Sequence, residues 1–325
     1  MLTSIAGGLL AAALAGAAPQ TDTTFAVEPG ARLEVRNTGG DIVVRTWNRN
    51  QVRIEAEHNS RTEVRVQNAG SVVRVDARSR MGPANIVDYR ITVPASMRLD
   101  LTGMHTDVSV EGTQADVAVQ TVQGDVSVRG GRGAVTVRTV QGETSVQGAQ
   151  GTIRAASTSG DVRIVESSGD VQAETVSGEI YLERISSPRV EAVTVSGDVY
   201  YDGDIQPRGS YSFVTHSGDV FASVPERADV TVSVATMSGD LDASFPIPGR
   251  DREGGRRYTF VLGSGSARLE LETFSGDARL RRPGEVSAAL ASARARAEER
   301  ETARRSRTRA PRPQPAPRPA APDFR

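Results

Sequence analysis

The sequence has no cysteine, which excludes a disulfide framework, a thiol nucleophile, thiolate zinc sites and a lipoprotein anchor. It has no lysine either, so all 39 basic residues are arginine. Aromatic residues make up 4% of the chain, and its three histidines, His58, His105 and His216, are scattered. Catalytic signatures are missing too: there is no Gly-x-Ser-x-Gly, no phosphate-binding loop and no His/Asp set at metal-ligand spacing. Neither a catalytic residue nor a cofactor is therefore expected. Beyond the first 17 residues no apolar run approaches the roughly 20 residues of a membrane-spanning helix.

What the chain has in abundance is repetition. From Asp116 it can be written in lines of nine, DVAVQTVQG, DVSVRGGRG, AVTVRTVQG and onward, with glycine at 124, 133, 142, 151, 160, 169 and 178. Each line opens with an apolar/polar alternation, the period of a strand with one buried face. It closes on a turn whose glycine supplies a positive φ.

Alternate lines match best: Thr121–Asp125 returns at Thr139–Glu143, Ser157–Asp161, Thr175–Glu179 and Thr194–Asp198. Looser copies follow at Thr215–Asp219, Thr236–Asp240 and Thr273–Asp277. The unit is thus about eighteen residues, with two strands and two corners. This describes an all-β chain built as a β-solenoid, or β-helix, whose coils stack about 4.8 Å apart. The buried columns would be Val126, Thr144, Val162, Ile180 and Val199 on one side, and Val135, Ile153, Val171 and Val190 on the other. An antiparallel meander is the rival, because Ser-Gly-Asp also suits a hairpin turn. It gives no reason for alternate corners to match, and the handedness of a solenoid stays open.

Around this core, residues 1–17 have the apolar run and the Ala15-x-Ala17 pattern of a cleaved secretory signal; a short buried helix or retained anchor is the alternative. Residues 25–101 alternate without a clean repeat and read as an N-terminal β region or cap. The repetitive part spans 102–283, and an arginine-rich helix is expected over 285–309, with a thin apolar stripe at Val286, Leu290 and Ala293. A proline-rich, disordered tail fills 310–325. The net charge of -1 conceals an asymmetry, since residues 281–325 hold twelve arginines against five acids.

The opening LEVRNTGGDIVVRTWNRNQVRIEAE, the Val93-Pro94 turn followed by Leu99, and the many Thr-x-Ser-Gly-Asp-Val units together resemble the bacterial putative-adhesin family of unknown function. The likeness runs from about Phe25 to Leu280. It implies a secreted or envelope-exposed β-helical protein, periplasmic or at the cell surface, with no established catalytic residues. The arginine helix and proline tail depart from the family pattern.

Three surface features invite a functional reading. The corner acids Asp125, Glu143, Asp161, Glu179, Asp198, Asp219 and Asp240 would stack in one ladder; either each accepts hydrogen bonds from corner N–H groups, or calcium is held at Asp161, Asp198, Asp219 and Asp240. Against calcium, nonapeptide calcium rolls carry Gly-Gly-x-Gly-x-Asp, whereas here a single glycine precedes the acid. The second feature is an outward column, Ser127, Ser145, Arg163, Tyr181, Tyr200 and Phe221, whose aromatic part is either a cross-strand ladder or a platform for glycan or a partner's apolar surface. The third is the tail, where Arg304, Arg305, Arg307, Arg309 and Arg312 either belong to a solvated spacer or meet an anionic envelope. The export signal disfavours nucleic acid. The expected function is non-enzymatic, an adhesin or envelope-binding scaffold whose partner is an envelope polymer, a glycan or a surface protein. The alternative is a carbohydrate-active enzyme, a polysaccharide lyase or hydrolase, on the same scaffold.

Overall fold

The structure is a computed structural model describing residues 20–79, 86–225, 227–247, 251–253, 257–293 and 295. The expected signal peptide and proline tail lie outside these residues. Those described form an all-β protein with one large, mostly parallel sheet and a short helix over 285–293.

The repeats pair as two parallel ladders. In the first, Val117 lies opposite Val135, which lies opposite Ile153, then Val171 and Val190, in register through strands Val117–Gln123, Arg132–Gln141, Gln150–Ala156, Ser168–Ser177 and Ile180–Ser196. In the second, Val126, Thr144, Val162, Ile180 and Val199 stand side by side in the same way. Both expected columns are buried, and neighbouring rungs are parallel, which a meander does not allow. The alternation of the sequence thus becomes a continuous apolar interior of valine, isoleucine and alanine. Thr144 is its polar intruder, fully buried, and its hydroxyl has no hydrogen-bond partner among the described residues.

The corner glycines answer to stacking as much as to φ. At Gly142 (φ 143°) an added Cβ would stand 2.1 Å from the carbonyl oxygen of Gly124, one rung back. Only a residue without a side chain lets the rungs close to hydrogen-bonding distance there, and Gly124 N–H indeed reaches the Gln141 carbonyl at 2.9 Å.

Towards the N-terminus, Arg32–Trp47 pairs along its length with Arg98–Thr113, a strand that runs through residues 101 and 102, where the sequence suggested a boundary. On the far side of Arg32–Trp47 lie Val72–Ser79 and Val87–Pro94. Antiparallel strands Thr62–Asn68, Gln51–His58 and Gln20–Ala26 then cover these edges. Antiparallel cover blunts a row of unpaired N–H and C=O groups that would otherwise template another chain.

At the other end the rungs leave chain order. Ser210–Ser217 pairs with Ala267–Ser275, and Val230–Ser238 sits outside that strand. The sequence lists the corner copies as Thr215, Thr236, Thr273, but in space the order is Thr215, Thr273, Thr236. The reason lies in the edge: Val230–Ser238 also pairs antiparallel with Arg257–Leu262, so the excursion between the two copies folds back as cover.

The aromatic column is present but is not an open platform. Tyr181 and Tyr200 are 0% and 2% exposed, because Val286, Leu290 and Ala293 of the helix pack on them. The stripe at i, i+4 and i+7 lies on one helix face. Sequence placed these rings outward correctly but could not show that a distant segment returns to cover them.

Candidate functional site

The later copies of Thr-x-Ser-Gly-(Asp/Glu) build the same corner, whereas the Thr139 hydroxyl has no partner among the described residues and Thr121 donates to the Thr106 carbonyl. The threonine points inward, and its hydroxyl donates to the carbonyl of the preceding rung's glycine: Thr175 to Gly160 at 3.0 Å, Thr194 to Gly178 at 3.1 Å, Thr215 to Gly197 at 2.9 Å, Thr273 to Gly218 at 3.1 Å. The aspartate accepts from the next rung's backbone. Asp125 N–H donates to Asp107 Oδ1, Glu143 N–H to Asp125 Oδ1, Glu179 N–H to Asp161 Oδ1 and Asp219 N–H to Asp198 Oδ1, all at 2.8 Å. Such bonds stabilise a carboxylate stack that repulsion alone would open.

Of the four aspartates considered for calcium, Asp161, Asp198 and Asp219 are therefore spoken for in part through their carboxylates, and Asp240 is joined through its backbone N–H. Asp277 stands between Asp219 and Asp240, taking Asp240 N–H at 3.0 Å and giving its own N–H to Asp219 at 2.8 Å. Among the described residues no group of three or more His, Asp or Glu side chains could hold a metal ion. The Asp277 carboxyl is held below its ordinary range, first by the Asp240 N–H and then by Arg279.

The variable position of each corner, which His216 shares with Val122, Val140 and Phe274 and which the sequence suggests is structural, faces solvent. Met104, Val122, Val140, Val176, Val195, Phe274 and Met237 stand in one column, each 44–50% exposed, with Thr158 between Val140 and Val176. They are seven of the nine exposed large hydrophobic residues among those described. His216, in the same column, stacks on Phe274 with centroids 4.6 Å apart. Beside the column runs a groove of about 860 Å³, with Val122, Val140, Val176 and Val195 on one wall and Gln120, Arg138 and Glu174 among its other lining residues. A second groove of about 580 Å³ shares Val193 and Val195 with it and continues past His216, Phe274 and Met237. The signal was present in the sequence: an apolar residue recurring inside a polar turn has no local reason to be there.

The outward aromatic column forms a longer stack than expected. Arg163 lies over Tyr181, Tyr181 stacks on Tyr200 and Tyr200 on Phe221, and Arg279 covers Phe221, with successive separations of 5.1, 5.4, 4.7 and 5.0 Å. Tyr181 donates to Glu179 at 2.6 Å and Tyr200 to Asp198 at 3.0 Å. Burial above all, with the Glu179 bond, raises the Tyr181 hydroxyl well above its usual range. These rings are a cross-strand ladder and a seat for the helix. Arg304, Arg305, Arg307, Arg309 and Arg312 lie outside the described residues. The histidines are as scattered as expected: His58 bonds to Thr21 at 3.0 Å, His105 pairs in the ladder with Gln123, and His216 is on the exposed corner. No helix among the described residues is long and apolar enough to cross a membrane.

A family model described as Toastrack DUF4097 matches residues 31–281. No curated protein matches the chain. Among solved structures, a putative adhesin from Bacteroides fragilis NCTC 9343 is similar over 81% of this chain and 97% of its own, at 11% identity and a TM-score of 0.42. A protein titled putative lipid binding protein, from Parabacteroides distasonis ATCC 8503, covers 82% and 97% at 7% identity and a TM-score of 0.39. A putative cell adhesion protein from Clostridium sporogenes ATCC 15579 covers 81% and 100% at 11% identity and a TM-score of 0.21.

Proposed function

The chain belongs to the Toastrack DUF4097 family, and from that premise we propose that it is a secreted, adhesin-like protein of the cell envelope that acts by binding rather than by turnover. The two parallel ladders are the faces of a β-solenoid, and the apolar corner groove is the surface it presents. The observation that carries this reading is the single column of half-exposed Val, Met and Phe side chains beside two contiguous grooves. Exposed apolar residues gathered into one stripe mark a contact surface, whereas isolated ones do not. Because the stripe repeats at rung spacing, it suits an elongated partner, and an envelope glycan fits best: sugar faces against the apolar column, hydroxyls towards Gln120, Arg138 and Glu174.

The test is co-sedimentation of the protein with isolated sacculi and outer-membrane fractions at low and high salt, beside a Val140→Glu, Val176→Glu, Val195→Glu variant. Saturable binding by the parent at both salt levels, lost in the variant with an unchanged melting temperature, is the expected result. Equal binding by both proteins would remove the groove from the account. Release of reducing ends during the incubation would establish turnover and overturn the non-enzymatic reading.

A further inference from the structure

The outward side chains beside the apolar corners have a charge pattern of their own. Their column runs one residue per rung from Arg36 to Glu272, with Ala156 on the fifth of nine rungs. Arg138 stands one rung before Ala156 and Glu174 one rung after it. Arg36 stands four before and Glu272 four after. All four charged residues are exposed, and among the described residues none forms an ion pair. Elsewhere an arginine meets an acid one rung away, as Arg129 meets Glu111 at 3.4 Å and Arg189 meets Asp170 at 3.3 Å. Here the opposite charges are two rungs apart, about 10 Å, with only the small Ala156 between them. The Glu174 carboxylate accepts instead from Gln172 Nε2 at 2.8 Å.

Reversing the rung order exchanges the signs and leaves the pattern unchanged. The corner column beside it is symmetric about the same rung: Val140 and Val176 flank Thr158, and Val122 and Val195 stand one rung further out. A second copy, turned end for end about a two-fold axis lying between the two faces, therefore sets its Glu174 over Arg138, its Arg138 over Glu174 and its Glu272 over Arg36, with valine on valine along the corners. A copy laid parallel sets the charges against the corner valines. Arg154 meets its own counterpart at the axis, but it stands outside the groove and is exposed to water. Nine rungs make a strip about 40 Å long and about 12 Å wide, so two copies bury about 1,000 Å² in all, the lower end for a specific, reversible interface.

We propose that the corner groove is covered by a second copy of this chain, laid antiparallel and face to face, with the two-fold axis crossing the rung of Ala156 and Thr158. A self-complementary patch is what such an isologous pair requires, and the half-exposed valines supply its apolar centre. The pairing stands independently of the glycan reading. Only its consequence rests on that reading: copy and glycan compete for one groove, so the dimer is the closed form and the monomer the form that binds.

The test uses the full chain, which has no cysteine of its own. Sedimentation velocity without glycan is expected to show a reversible monomer–dimer equilibrium with a Kd of about 10 μM. Arg138→Glu and Glu174→Arg each face like charges and should weaken it at least about tenfold. The chain carrying both should return to within about threefold of the parent. Thr158→Cys meets its own copy at the axis and should be cross-linked by a short bismaleimide. Val122→Cys, about 19 Å from its own copy, should not, yet it should couple to Val195→Cys when the two chains are mixed. The pairing is overturned by a chain that stays monomeric to about 100 μM, by a double variant no better than the single ones, or by Val122→Cys self-coupling as fast as Thr158→Cys. None of these outcomes touches the glycan reading. The cross-linked Thr158→Cys dimer should fail to sediment with sacculi while the same chain without cross-linker does so. Equal sedimentation overturns the competition, and sedimentation by neither form condemns the glycan reading and the competition that rests on it.

Discussion

Asp277 donates its backbone N–H to Asp219 Oδ1 at 2.8 Å across 58 residues of chain, and in turn accepts the Asp240 N–H. Its carboxyl pKa is depressed below 3.8 by the Asp240 N–H and by Arg279. A depressed folded-state pKa contributes stability that is present above the unfolded value and lost as pH falls through the folded one. Asp277→Asn should therefore lower the urea midpoint at neutral pH, and the difference from the parent should shrink as pH drops below 3.8. A gap that stays constant down to about pH 2 would mean that the carboxylate charge contributes nothing.

The two kinds of glycine should separate cleanly. Gly148 has φ 68° with open space around it, so Gly148→Ala should cost about 1–2 kcal/mol of left-handed strain. Gly142→Ala adds a clash with a backbone carbonyl and should cost about 4 kcal/mol or more. Denaturant midpoints of the two variants decide it.

Thr144 offers the opposite case. Its hydroxyl is buried between Val126 and Val162 with no partner among the described residues. Thr144→Val keeps the shape and removes the stranded group, and should raise stability by about 1 kcal/mol. A lower melting temperature would point to a partner for that hydroxyl.

Leu290 is 3% exposed against the tyrosine stack. Leu290→Ala should weaken helix docking by about 2–3 kcal/mol. Hydrogen exchange should accelerate across 285–293 while the rungs around Val162 and Ile180 stay protected. Uniform acceleration would show that the helix is part of the global fold rather than a separable cover.

The parts of the fold legible in the sequence were those with a local cause. Parallel pairing and both buried columns followed from the nine- and eighteen-residue periods, because stacking identical units brings like residues together. The corner acid accepting a backbone N–H followed from turn chemistry, whereas the inward Thr that donates to a glycine carbonyl did not. What escaped the sequence was non-local. Nothing near Thr236 shows that Ala267–Ser275 will lie between it and Ser210–Ser217, and nothing near Tyr181 shows that Leu290 will cover it. The apolar corner column was legible as a pattern, because the eighteen-residue repeat stacks its positions, but the grooves beside it were not.

The out-of-order rung has a consequence for biosynthesis. The ribosome delivers Val230–Ser238 before Ala267–Ser275, at a time when the edge of Ser210–Ser217 is still bare. Both arriving strands end in the same Thr-x-Ser-Gly-Asp corner, so the early one is a competent decoy for the late one's seat. The native order then requires that the decoy wait, paired with Arg257–Leu262 as a free hairpin, or that it be displaced after synthesis ends. A released chain ending near residue 265 would lack the native strand for that edge and leave the decoy free to take it, a C-terminal end that the finished protein never contains.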